Sequence, residues 1–181
     1  MPAGRREIGQ GANQHAVWEL DPNADANNAS IEIQAKQTQA AADKFGMNFK
    51  ILRASNPTDI DAVFTTFSQR SSTGLLVNSD PFLTGRRSQI VALAARYAIP
   101  AIYPWREYVL EGGLMSYGSS NIESYRMAGV YVGRVLNGAQ PKELPIMQPT
   151  IFELAINLKT ARALGMSVSS AILARADEVI E

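Results

Sequence analysis

The chain has 181 residues, enough for one domain and an appendage. With 46% hydrophobic and 19% charged residues it can pack a core, which excludes wholesale disorder. Lys+Arg and Asp+Glu are 17 each, so no net positive field exists to grip nucleic acid or an anionic membrane. Cysteine is absent and His15 is the only histidine, which excludes disulfides, thiolate sites and multi-histidine metal centres.

Residues 1–13 show no period and read as a loose leader. Arg5 and Arg6 are followed by no apolar stretch, so these residues are not a signal peptide; taken as complete, the chain is cytoplasmic. Residues 15–20 (HAVWEL) read as a buried strand, broken by Asp21-Pro22-Asn23. Ile31, Ala35, Thr38, Ala42 and Phe45 recur at helical spacing, and Gly46 stops that helix. Phe49 to Leu52 is the second strand. Asn56 caps a helix that begins at Pro57, where a missing N–H costs nothing, with Ile60, Val63, Phe64 and Phe67 inward.

Gly74 to Val77 is the third strand, ending in Asn78-Ser79-Asp80-Pro81. Ile90, Leu93, Ala94 and Tyr97 mark the next helix. Pro100 to Tyr103 and Leu114 to Tyr117 are further strands. Ser120-x-x-Glu123 is a capping box opening a helix with Ile122, Tyr125, Gly129, Val132 and Leu136 inward. The one-turn spacing of Gly129 and Gly133 suggests close helix packing. Residues 138–149 form an extended connection, 152–158 a strand, and a last helix from Ser169 turns Ile172, Leu173, Ala176 and Val179 inward.

Strands alternating with helices predict an α/β fold: a three-layer parallel sheet with right-handed crossovers over residues 14–118. Ligands of such sheets sit outside the carboxyl ends of the strands. The candidate binding residues there are Asp21, Asn23, Asn78, Ser79, Asp80, Tyr103, Trp105 and Arg106, with Ser116 and Tyr117 on the strand that leaves the unit. Tyr103 and Trp105 offer flat apolar faces, and Arg106 offers a fork for a carboxylate. Each has a plainer use: Tyr103 in the core, Trp105 on its loop, Arg106 paired with Glu107, Asp80 or Ser79 as a helix cap, Asp21 and Asn23 as turn residues. Residues 119–181 cannot bury their own faces.

Catalytic signatures are missing. No dinucleotide or P-loop glycine pattern occurs. Ser116 lies one residue off a nucleophile elbow, and a hydrolase centred on it is the weakest reading. Asp21 and Asp80 suggest a phosphoacceptor, but the lysine it needs is absent. We therefore expect no enzyme, no metal and no cofactor.

The stretches LAARYAIPAIYPWREYVLEGGLMSYG (93–118), PTIFELAINLKTARALG (149–165) and ILARADEVIE (172–181) resemble a family of bacterial ABC-transporter substrate-binding proteins, a periplasmic group that includes tryptophan/tyrosine-type binders. The resemblance implies the type I periplasmic-binding-protein architecture, two α/β lobes joined by crossing strands around a cleft. It places 14–118 as a complete lobe, Ser116 to Gly118 as a crossing, and 119–181 as the remnant of an incomplete second lobe. It implies a truncated solute-binding component of an ABC importer, periplasmic, taking an amino acid or aromatic acid and serving an ABC permease. The uncovered remnant implies a homodimer. The alternative is a structural or regulatory α/β module that self-associates without transport.

Overall fold

A computed structural model describes residues 6–7, 16–21, 29–67 and 73–181. His15, Asn23 and most of the leader lie outside the described residues. In chain order the elements begin with β1 (Arg6–Glu7), β2 (Ala16–Asp21), α1 (Ala29–Lys44), β3 (Asn48–Arg53), α2 (Pro57–Phe67) and β4 (Thr73–Val77). They continue with α3 (Pro81–Gly85), α4 (Arg87–Arg96), β5 (Ala101–Tyr103), α5 (Arg106–Leu110), β6 (Met115–Ser119) and α6 (Asn121–Leu136). The chain finishes with β7 (Phe152–Asn157), α7 (Leu158–Ala163), β8 (Met166–Ser167), α8 (Ser170–Leu173) and β9 (Glu178–Ile180).

Seven strands form one sheet in the order β3-β2-β4-β5-β6-β7-β9. Over residues 14–118 the sheet is parallel as expected, and β7, beyond that range, runs antiparallel to β6, so the whole sheet is mixed and mostly parallel. The chain steps outward from β2 to β3, then returns past β2 to β4. Right-handed crossovers therefore put α1 on one face and α2, α4 and α5 on the other. The second face holds the main core. There Ile60 and Phe64 of α2 and Ile90, Leu93 and Ala94 of α4 cluster with Leu75, Val77, Ala101 and Tyr103 of the strands. Leu75 and Val77, like Ala101 and Tyr103, are two apart and share that face.

Local chemistry explains the boundaries. Gly46 ends α1 at φ 64°, a conformation that penalises side chains. The Asp59 amide donates to Asn56 Oδ1 at 2.9 Å, so Asn56 caps α2 as expected. The capping box of α6 is only half made. The Glu123 amide donates to Ser120 Oγ, but the Ser120 amide is already committed to the Ile151 carbonyl at 3.0 Å. The Glu123 carboxylate pairs with Arg126 instead.

Pairing near the ends of the chain adds strands, and one expectation, the length of the last helix, is corrected. Arg6 and Glu7 of the leader pair with Met166 and Ser167 as a two-stranded sheet. The last helix is only α8; Val179 belongs to β9, which pairs in parallel with β7. β7 and β9 thus extend the main sheet. What stands apart is α6 with the connection after it: α6 has no buried residue. Ile122, Tyr125, Val132 and Leu136, expected inward, are exposed, and a Cβ at Gly129 or Gly133 would meet nothing within 4 Å.

Candidate ligand groove at the carboxyl edge of the sheet

Because β2 to β6 are mutually parallel, their carboxyl ends share one edge. The chain reverses its order across β2 and β4, and a crevice opens at such a reversal. Asp21 ends β2 at this edge. Asn78 and Ser79 follow β4, and the Ser79 amide donates to Asn78 Oδ1 at 2.8 Å. Of the two candidate caps, Asp80 is the one used. Its Oδ1 accepts from the amides of Phe82 (2.7 Å) and Leu83 (3.2 Å), with Pro81 leading α3.

Three of the candidate binding residues have surroundings within the fold that bear on their role. Tyr103 is a core residue, stacked on Tyr108 with ring centroids 4.8 Å apart, and burial pushes its phenol pKa far up. Ser116 is buried in the sheet between Tyr103 and Ala155, and its hydroxyl has no hydrogen-bond partner among the described residues. Arg106 is tied to Glu178 of β9 at 3.0 Å, not to its neighbour Glu107. Tyr117 is exposed and stacks on Phe152 at 6.0 Å where β6 and β7 leave the sheet.

Trp105 is the one described candidate that lines a groove at this edge. Half-buried at the start of α5, it lines a groove of about 280 Å³ with Glu107 and Tyr108 of α5, Thr84 of α3, Arg87 of α4, and Asn121, Ile122 and Tyr125 of α6. The sequence reading missed all but Trp105. These residues come from segments far apart in the chain, and pairing Glu107 with Arg106 hid its real neighbour. Asn121 Nδ2 donates to Glu107 Oε1 at 3.5 Å.

The floor of the groove is polar but poorly satisfied. Glu107 Oε2 and the Tyr108 hydroxyl are buried without a hydrogen bond among the described residues. The Tyr108 phenol is pushed up to about 12, chiefly by burial. Thr84 lies near enough to oppose that shift, but its own hydroxyl donates to the Asp80 carbonyl at 2.8 Å. Arg87 does not neutralise the floor: Glu111 holds its guanidinium, and Ser88 Oγ donates to the same carboxylate at 2.6 Å.

Gly118 keeps this edge compact. A Cβ there would lie 2.0 Å from the Pro104 carbonyl oxygen, so only glycine lets β6 pass the end of β5.

Residues 23–180 match the family model described as ABC transporter substrate binding protein. The chain belongs to that family. No curated protein matches it in sequence. Among solved structures, it is similar to the ABC domain from Streptococcus pneumoniae in complex with L-Trp. The TM-score is 0.79 at 21% identity, over 92% of this chain and 56% of that one. A conserved domain protein from Vibrio cholerae gives 0.78 at 21% identity, over 91% and 54%. A ligand-free, open substrate-binding protein with adhesive properties from Clostridium difficile gives 0.60 at 17%, over 93% and 55%. The chain therefore spans about half the length of the solved structures it resembles, and at these identities the likeness is one of fold. No helix among the described residues is long and apolar enough to cross a membrane.

Proposed function

We propose that this family member supplies one wall of a periplasmic solute-binding cleft serving an ABC importer, with a small organic solute held at the carboxyl edge of the sheet. The observation that carries the reading is the groove beside Trp105, open at the edge where α/β sheets bind ligands. Its aromatic rim, Trp105 and Tyr125, suits a flat apolar group, and the Asn121–Glu107 pair suits a polar head. An amino acid or aromatic acid has both features, and L-Trp in the pneumococcal structure is of that class.

In this reading residues 14–118, enlarged by 152–180, form one jaw. Residues 119–151 belong to the opposing jaw, most of which this chain does not carry, and the exposed flank is covered by self-association. The ABC permease is the downstream partner.

Thermal unfolding with L-Trp, L-Tyr, other amino acids and aromatic acids tests it. A solute at a hundredfold excess over its Kd adds about 2.7 kcal/mol, a rise of roughly 5–10 °C for a chain this long. Trp105→Ala should abolish the rise. If no solute shifts the transition even at millimolar concentrations, the binding reading fails and the self-associating module without transport takes its place.

A further inference from the structure

We infer that the groove selects its solute by positive charge: it takes a flat apolar group carrying a protonated amine and rejects the aromatic acids. The inference rests on the binding reading proposed above and narrows its solute class. The juxtaposition behind it is a carboxylate without a counter-charge, Glu107, beside Trp105, where both nearby guanidinium groups are already committed.

The donors come first. Arg87 lines the groove, but Glu111 holds its guanidinium, and its Nη1 otherwise reaches only the Thr84 carbonyl at 3.5 Å. Arg106, next to Trp105 in sequence, is held by Glu178 at 3.0 Å. The Thr84 hydroxyl donates to the Asp80 carbonyl, and the Asn121 amide spends its donor on Glu107. The Trp105 indole and the hydroxyls of Tyr108 and Tyr125 are neutral donors. A solute carboxylate would therefore meet no uncommitted cation on this wall.

The acceptors show the opposite. Among the described residues no cation pairs with Glu107, and the 3.5 Å contact from Asn121 is the one hydrogen bond its carboxylate receives. Its Oε2 is closed off from water and accepts nothing. The start of α5 favours a negative charge only weakly, since that helix has five residues. A carboxylate partly stripped of water and left without a counter-charge is costly, and a cation in the groove relieves that cost. The attraction acts through a poorly screened floor, so the ammonium need not touch Oε2. A second carboxylate placed there would be repelled for the same reason. The aromatic rings of Trp105 and Tyr125 add to the preference, because their faces attract cations. At about 280 Å³ the groove lies just under the usual range for ligand pockets, so it suits one ring on a short amine arm.

Three solutes of one shape and different charge make the test: phenethylamine, phenylethanol and phenylacetate. Each is titrated into the whole chain at neutral pH, with L-Trp alongside, and binding is followed by NMR shifts of the protein into the millimolar range. Phenethylamine should bind about tenfold or more tightly than phenylethanol, and phenylacetate more weakly than either. Glu107→Gln keeps the shape and the acceptor for Asn121, and should bring the amine down to the alcohol. Glu107→Asp keeps the charge and should keep the preference for the amine. Glu107→Gln should also unfold no earlier than wild type, whereas a merely structural carboxylate would lower the unfolding temperature and leave the ratio between solutes alone. Phenylacetate binding as tightly as phenethylamine overturns the inference and leaves the binding reading standing. So does a preference for the amine that survives Glu107→Gln. If none of these solutes, L-Trp included, shifts a resonance of the groove, the binding reading fails and the charge preference falls with it.

Discussion

Helices α4 and α6 are both amphipathic, and both follow a strand of the same sheet, yet one is locked into the core and the other lies bare. In α4 the residues Ile90, Val91, Leu93 and Ala94 are buried; in α6 none is. The difference lies in the strands they connect. β4 and β5 are parallel neighbours, so α4 must run back along the sheet to start β5 and its stripe falls onto a face. β6 and β7 are antiparallel neighbours, so the connection leaves and re-enters at one edge and never crosses a face. An apolar stripe reports that a helix needs cover; the direction of the next strand decides whether the sheet supplies it.

The sharpest way to break this comparison is to cut side chains on both sides of it. Phe64→Ala empties a fully buried site under α4 and should cost about 3–5 kcal/mol in urea unfolding. Ile146→Ala, in the exposed connection after α6, should change stability by no more than about 0.5 kcal/mol. Comparable losses at the two sites would mean that the connection is packed after all. Two glycines sharpen the contrast by differing in sign. Gly118→Ala drives a Cβ into the Pro104 carbonyl and should cost about 3 kcal/mol. Gly133→Ala adds a methyl in open space inside a helix and should stabilise by about 0.5–1 kcal/mol.

These pairs also mark what could be read from the chain. The strands β3 to β7 were legible to within two residues, since each is a short apolar run between turn residues. The start of α2 was legible because Asn56 and Pro57 act locally. The stripe of α6 was legible as a stripe, but its exposure was not, because the antiparallel return of β7 is a long-range fact. The five-residue α5 is too short to show a period. β9 was hidden by Ile172, Leu173, Ala176 and Val179, whose helical spacing is real while α8 stops at Leu173. Within the site, Trp105 stood out by its chemistry at a strand end. Glu107 and Asn121 did not, because their juxtaposition joins two helices, one on each side of β6.

The capping of α3 gives a smaller effect on the packed side. Asp80→Ala frees the amides of Phe82 and Leu83 and should cost about 1 kcal/mol, with Asp80→Asn recovering most of it. If the alanine variant loses nothing, the cap is not holding the strand end in place.

The smallest effect concerns acid. The Glu111 carboxylate is held below its usual value near 4.5, first by the Ser88 hydroxyl and then by Arg87. It joins the end of α5 to the start of α4, where the helix dipole also favours a negative charge. A carboxylate depressed on folding contributes its full stability above the unfolded value and loses it as pH falls through the lower folded one. The pair is partly exposed, so the contribution should stay under about 1 kcal/mol. Wild type and Glu111→Gln should therefore differ in urea midpoint at pH 7 and converge as the pH falls from the unfolded value through the lowered folded one. Glu123 is also depressed, by Arg126, but that pair sits within one exposed helix and joins nothing else. Glu123→Gln should leave the pH dependence of global unfolding as it was, and a convergence like that of Glu111→Gln would show that α6 is bound into the core's cooperative unit.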